Sequence, residues 1–412
     1  MASLLVVLII SGCAVYQYFK GTFVKAFATL IIAISASIVA FGYFEVLANV
    51  FVSRGGNSRV PSLVPWAQPL CFALLFIVVF GALQTLVTLL TRKPVDMGFL
   101  PERIGRVACG MFLGLTLSGI LLTFLVMAPL PNNYPYQRFD QPKPDTEKPN
   151  KVLLNADGFV TGWFSIVSGG SFSGKKSFAT LHPNFLDQVF LNRHSAADDV
   201  SIITSSQAIG IPKKAVWPAP QGLKDSNGQP VPLKTGHNLT IVRVGIKKSA
   251  LRDAGKFTLS QLRLICKPKG YTKDPLTGKG RNVYPIGYLK AADQIEISSK
   301  IQIERDDFES DALEKEIDFV FRVPNDSEPV LVEFKLNNIV QIPRSAIVSA
   351  DQAPPPALFI QASKSKRDTT RSKRPSQQRK SPPRQQGPAS PSREGELSDV
   401  SRSIIGNQFE EQ

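Results

Sequence analysis

Residues 103–128 read RIGRVACGMFLGLTLSGILLTFLVMA, and this stretch decides the class of the protein. From Val107 to Ala128 no side chain carries a charge. A run of ~20 apolar residues crosses ~30 Å of hydrocarbon as a helix. Within the run, Gly110, Gly114 and Ser118 recur every fourth residue. That spacing lines small residues along one helix face, where a second helix backbone can come close. The stripe predicts a helix-packing seam, either within the chain or between two copies.

Working outward toward the N-terminus, three more runs have the same character. Ala2 to Phe19 and Ala26 to Phe44 are uncharged, and a third run extends from Pro69 to Thr91. The sequence therefore predicts four membrane helices, the first two joined by a tight turn at Lys20-Gly21. No Lys or Arg precedes the first run, which argues against a cleaved signal peptide. The same absence argues against a lipoprotein signal at Ile10-Ser11-Gly12-Cys13. Glu45 closes the second run and is a candidate intramembrane acid. Deep in a bilayer such an acid marks a proton or ion path; at a helix end it belongs to the interface.

Orientation is read from Lys and Arg in the short loops. Lys20, Lys25, Arg92, Lys93, Arg103 and Arg106 share one side. Arg54, Arg59, Arg138, Lys143 and Lys148 share the other. The loop after the third helix is the densest cluster. It favours both termini, and the C-terminal domain with them, on the extracytoplasmic side.

The chain has 412 residues and a net charge of +15. Its mean hydropathy of +0.00 is an average of apolar helices and a polar remainder. Much of the charge is local. Lys364, Lys366, Arg367, Arg371, Lys373, Arg374, Arg379, Lys380 and Arg384 stand against one acid, Asp368, a net of +8. This Ser-, Gln- and Pro-rich stretch cannot bury enough apolar surface to offset ordering entropy, so residues 351–412 are expected to be a disordered basic tail. Its charge suits anionic lipid or a polyanionic envelope polymer. Without the tail the charge is ordinary, and a nucleic-acid-binding domain is not indicated. Four cysteines rule out a disulfide-stapled scaffold.

Several stretches together resemble the CvpA (colicin V production) family of bacterial membrane proteins. They are Tyr18-Phe19-Lys20-Gly21-Thr22-Phe23-Val24-Lys25, the run from Ala40 to Tyr43, and Arg103-Ile104-Gly105-Arg106-Val107-Ala108-Cys109-Gly110 with Gly114. The resemblance covers residues 1–130. It implies a bacterial inner-membrane protein linked to toxin production or export and to envelope homeostasis. It brings no catalytic residues with it.

Beyond the membrane runs, residues 131–150 are Pro-rich and predict an extended linker. Residues 151–235 read as an irregular α+β region with one amphipathic helix, Asn184 to Arg193, carrying Phe185, Val189 and Phe190 on one side. Residues 236–350 alternate with period two. Thr240–Ile246, Gln261–Cys266, Gln294–Ile297, Ile317–Val323 and Val330–Phe334 predict strands of an antiparallel β-sandwich. The last two, Phe319-Val320-Phe321-Arg322-Val323-Pro324 and Pro329-Val330-Leu331-Val332-Glu333-Phe334, are similar to the closing strands of immunoglobulin-like bacterial envelope domains. The expected fold is thus a four-helix membrane domain, an immunoglobulin-like sandwich and a disordered tail.

Motifs for chemistry are weak. Gly169 to Lys176 imitates a phosphate-binding loop, but Lys176 stands where Ser or Thr should ligate magnesium. His182, Asp187 and His194 match no zinc spacing. The sequence assigns no catalytic residue, cofactor or metal, and the chain is not expected to be an enzyme. The expected partners are the lipid bilayer, a protein or envelope-polymer ligand of the β-domain, anionic lipid at the tail, and a second copy through the membrane helices.

Overall fold

A computed structural model describes residues 1–20, 22–54, 65–90, 99–131, 133–140, 149–170, 177–195, 200–205, 207–297, 300–309 and 311–360. The basic tail from Lys364 to Arg384 lies outside the described residues.

Four helices are long and apolar enough to cross a membrane. They are α1 (Ala2–Lys20), α2 (Phe23–Arg54), α3 (Ala67–Leu90) and α4 (Phe99–Met127). The chain is a membrane-associated protein built on them. α1 packs on α4, and α2 lies between α3 and α4. The close approach of α1 to α4 follows from two glycines. A Cβ on Gly110 would meet Ala14 Cα at 2.7 Å, and one on Gly114 would meet Ile10 Cα at 2.5 Å. At the far end from the β-region, Glu102 of α4 accepts a hydrogen bond from the Phe23 backbone N–H at 2.9 Å. It satisfies one of the orphan donors that open α2.

α2 has 32 residues, a length of ~48 Å at the helical rise. This exceeds the ~30 Å of hydrocarbon, so its C-terminal turns reach the extramembrane part. Phe41 and Phe44, ten to thirteen residues before the end of α2, belong to one apolar cluster with Phe72, Phe164, Phe178 and Phe185.

Three short helices follow: α5 (Ala156–Gly169), α6 (Phe178–Leu181) and α7 (Phe185–Ser195). α7 falls where a helix is expected at 184–193, but it is buried on nearly all sides and not along one apolar face; α5 is not among the expected elements. The Pro-rich segment is not an extended spacer where it is described. Arg138 is buried, and its carbonyl accepts from Asn150 N–H at 2.7 Å, closing the segment on itself.

The remainder is antiparallel β structure. Its strands are β1 (Ile209–Gly210), β2 (Val216–Pro218), β3 (His237–Lys247), β4 (Lys256–Phe257), β5 (Leu262–Pro268), β6 (Arg281–Val283), β7 (Pro285–Ala291), β8 (Gln294–Glu296), β9 (Ile301–Gln302), β10 (Glu314–Pro324), β11 (Ser327–Phe334) and β12 (Asn338–Gln341). A one-turn helix, α8 (Leu251–Ala254), precedes β4. One sheet runs β1-β3-β10-β7-β8 with β2 also on β3; a second runs β12-β11-β5-β6; β4 and β9 form a two-stranded ladder. All five expected strands are present. The expected start of the β-region at 236 is too late, because β1 and β2 pair with β3. Their two or three residues are too short to show alternation.

The turn between β10 and β11 joins the two sheets, since β10 pairs along β3 and β11 along β5. Leu264, Val332 and Phe334 of one sheet share a single hydrophobic cluster with Ile241, Phe319 and Phe321 of the other. Residues 351–360, assigned by composition to the tail, lie against this structure. Phe359 is buried, its N–H bonds Leu289 O at 3.1 Å, and its ring meets Tyr288 edge-on at 5.7 Å.

Candidate functional site

α7 is the hub between the membrane helices and the sheets. Its sequence mixes Asp187, Gln188, Asn192 and Arg193 with apolar residues, yet Phe185 to Arg193 is almost wholly buried. That is affordable only because each buried polar side chain has a partner.

The longest chain of partners starts on α2. Glu45 Oε1 lies 2.6 Å from His182 Nε2, with His182 1% exposed. His182 Nδ1 is 3.0 Å from Gln188 Oε1. Gln188 Nε2 donates to Glu333 on β11. Glu333 accepts from Arg263 on β5. Arg263 also donates to Leu181 O at 2.6 Å and to Asn282 on β6. Because the Gln188 amide nitrogen faces a carboxylate, its oxygen faces the imidazole, and Nδ1 must carry a proton. Nε2 against Glu45 then favours the imidazolium. Burial alone pulls the His182 pKa down, but the Glu45 and Glu333 carboxylates outweigh it and hold it above the ordinary value. Two carboxylates and two cations compensate one another between α2, the segment before α7 and the β5–β11 sheet.

A second cluster binds the linker to α5 and α7. Arg138 Nε donates to Asp187 Oδ1 at 2.5 Å, and its Nη1 donates to Tyr136 OH at 3.0 Å. Tyr136 donates to Asp157 on α5. Burial, then the Asp157 charge, pushes the Tyr136 phenol upward. Arg193 Nη1 donates to Val126 O at 2.9 Å. Its Nη2 donates to Leu130, Pro131 and Tyr134 carbonyls at 2.8, 2.6 and 2.8 Å. It thereby satisfies carbonyls left open at the end of α4, where the helix dipole favours a cation. Burial brings its pKa down to about 10.

The residues singled out in the sequence are dispersed. Gly110 and Gly114 face α1 of the same chain, so self-association through that face would require α1 to leave. Ser118 is buried and donates to Leu115 O at 2.9 Å. The next close contact of α4 falls one residue later, where a Cβ on Gly119 would strike Ala156 O of α5. Glu45 lies nine residues before the end of α2 at Arg54 and is held in an ion pair with His182. His182 and Asp187 join separate clusters, and the His194 side chain and residues 171–176 lie outside the described residues. Among the described residues no group of three His, Cys, Asp or Glu could hold a metal ion. Both His182 nitrogens are engaged, so the ring is not placed to act as a base on a substrate. The relay itself was not legible in the sequence, because its members span positions 45 to 333.

No family model, curated protein or solved structure matches this chain.

Proposed function

We propose that the chain is a non-enzymatic bacterial inner-membrane protein of the CvpA type, acting in envelope homeostasis and in toxin production or export. In this reading the β-region is a recognition unit on the extracytoplasmic side, and its bound state is coupled to the four-helix module. Two sheets that share one hydrophobic cluster support a sandwich-like recognition unit. The observation that carries the proposal is the buried relay from Glu45 to Arg263. Taking ions out of water costs several kcal/mol each before pairing. A passive anchor needs only a tether, whereas a coupled device needs a stiff, specific joint.

The test replaces residues 1–130 with an unrelated four-helix anchor and asks whether the hybrid restores envelope integrity to cells lacking the native chain. Coupling predicts loss of function at normal protein levels. Full restoration would refute it and leave the adaptor reading, in which β-region and basic tail bind envelope polymer, anionic lipid or protein. The tail's net +8 favours that second reading. It requires that membrane or polymer association fall with added salt and on deletion of residues 361–412. A C-terminal alkaline phosphatase fusion, active only outside the cytoplasm, tests the orientation.

A further inference from the structure

We infer that α5 is a fifth membrane-contacting element, an amphipathic helix seated in the lipid leaflet on the β-region side. The inference rests on the four long helices crossing the bilayer. One face of α5 is buried: Ala156, Val160, Thr161, Phe164 and Ser168. The opposite face presents Phe159, Trp163 and Ile166, which are 41%, 44% and 63% exposed. These positions recur at i, i+4 and i+7, a single helical stripe. Gly162 lies in the same stripe, with open space above it. The only charged residue of the helix, Asp157, is buried and held by Tyr136.

Depth comes from where α5 touches the spanning helices. Its first turn crosses α4 at Gly119, nine residues before the apolar run ends at Ala128, or ~13 Å along the helix. Further on, Phe164 stacks on Phe41 of α2, with ring centroids 5.0 Å apart. Phe41 lies four residues before Glu45, or ~6 Å. Both contacts fall inside the candidate spans, which end at Phe51 and Met127, on the hydrocarbon side where an interfacial helix buries its apolar face. Water is therefore the wrong neighbour for the exposed stripe.

The surface is also continuous with lipid-facing surface. The N-terminus of α1 packs beside Val152 and Ala156. Its Leu4 and Leu8 are exposed, as are Leu153 and Leu154 just before α5. A protein partner would be expected to meet a polar rim, and the stripe has no charged or polar residue. An indole at this level matches the aromatic belt of membrane interfaces.

The experiment uses the full-length protein in lipid nanodiscs. Emission of Trp163 is isolated as the difference between wild type and Trp163→Phe, because Trp66 and Trp217 also emit. Lipid brominated near the headgroup should quench this difference signal, aqueous iodide should not, and the emission should be blue-shifted. Quenching by iodide without quenching by brominated lipid would overturn the inference. Protection from both would also overturn it, showing a protein surface, such as a second copy, over the stripe. Ile77→Trp, placed on the exposed middle of α3 in the Trp163→Phe background, is the control. Its quenching by lipid brominated near the chain end, with Trp163 unquenched, confines the failure to α5. Silence at both positions would sink the membrane reading itself.

Discussion

At the scale of the residue, His182 and Lys335 are buried basic groups with opposite consequences. His182 is a charged joint held by Glu45, whose side chain is 24% exposed. Removing one partner of a buried pair strands the other. Glu45→Gln should therefore cost roughly 1–3 kcal/mol, less than for a fully buried pair because water reaches Glu45. In a double-mutant cycle, Glu45→Gln with His182→Gln should cost less than the two single changes together. Additive costs would mean the pair is not coupled. The raised His182 pKa makes its contribution fully present below the ordinary value of 6.5 and lost as pH rises through the folded value.

Lys335 works the other way. It is 0% exposed, donates to Lys256 O at 2.7 Å, and burial brings its pKa from 10.5 down to about 7. Between those values the unfolded chain holds the proton and the folded chain does not. This group therefore adds stability as pH rises from about 7 toward 10.5, at most ~1.4 kcal/mol per pH unit. Denaturant titrations of wild type and Lys335→Met across that window should differ by this slope, and parallel curves would contradict it.

At the scale of the element, small residues set the helix packing. Gly110→Leu and Gly114→Leu must push side chain into the α1 backbone, which cannot yield cheaply, and each should cost ~1–3 kcal/mol or more. Gly81→Leu on α3 meets nothing within 4 Å and should stay within ~0.5 kcal/mol. Unfolding of the detergent-solubilised protein, followed by helicity, separates these cases. Equal losses at all three positions would mean that the glycine contacts do not hold α1 on α4. The stripe was legible because its period matches the helix. Which helix fills it was not, because sequence spacing carries no partner. α5 was missed for a related reason: Gly158, Gly162 and Asp157 dilute its apolar pattern, and its fourteen residues are too few to suggest a span. α7 was seen as half-apolar and proved to be enclosed on nearly every side.

At the scale of the molecule, the chain past residue 350 straps the β-region before the tail begins. Arg243 binds Asp318 through Nε and Nη2, at 2.6 and 2.8 Å, and its Nη2 also donates to Pro355 O at 2.5 Å. Ala357 N–H donates to the same Asp318 at 2.8 Å. Ending the chain after Ile360 should leave the thermal midpoint unchanged. Ending it after Gln352 should lower that midpoint by several degrees, since losing the buried Phe359 ring alone costs ~3–5 kcal/mol. Equal midpoints for the two truncations would show that the strap contributes nothing. Composition placed residues 351–360 with the tail because Pro354, Pro355 and Pro356 resemble a linker, and a strap held by few backbone bonds leaves no periodic signature.

The sequence by itself determined the four apolar helices, the strands β3, β5, β8, β10 and β11 though not β7, the small-residue face of α4 and the locus of the basic charge. These are properties of short windows, where hydrophobic period and length report directly on what the chain must bury. Only the tertiary structure decided that α1 fills the glycine face and that α5 is an amphipathic helix beside α4. It alone brought Glu45 to His182 and, through Gln188, to Glu333 and Arg263. The longest of those pairings joins residues 145 positions apart. They are set by the burial of α7 between helices and sheets, which forces each enclosed polar group to find a partner wherever the fold has brought one.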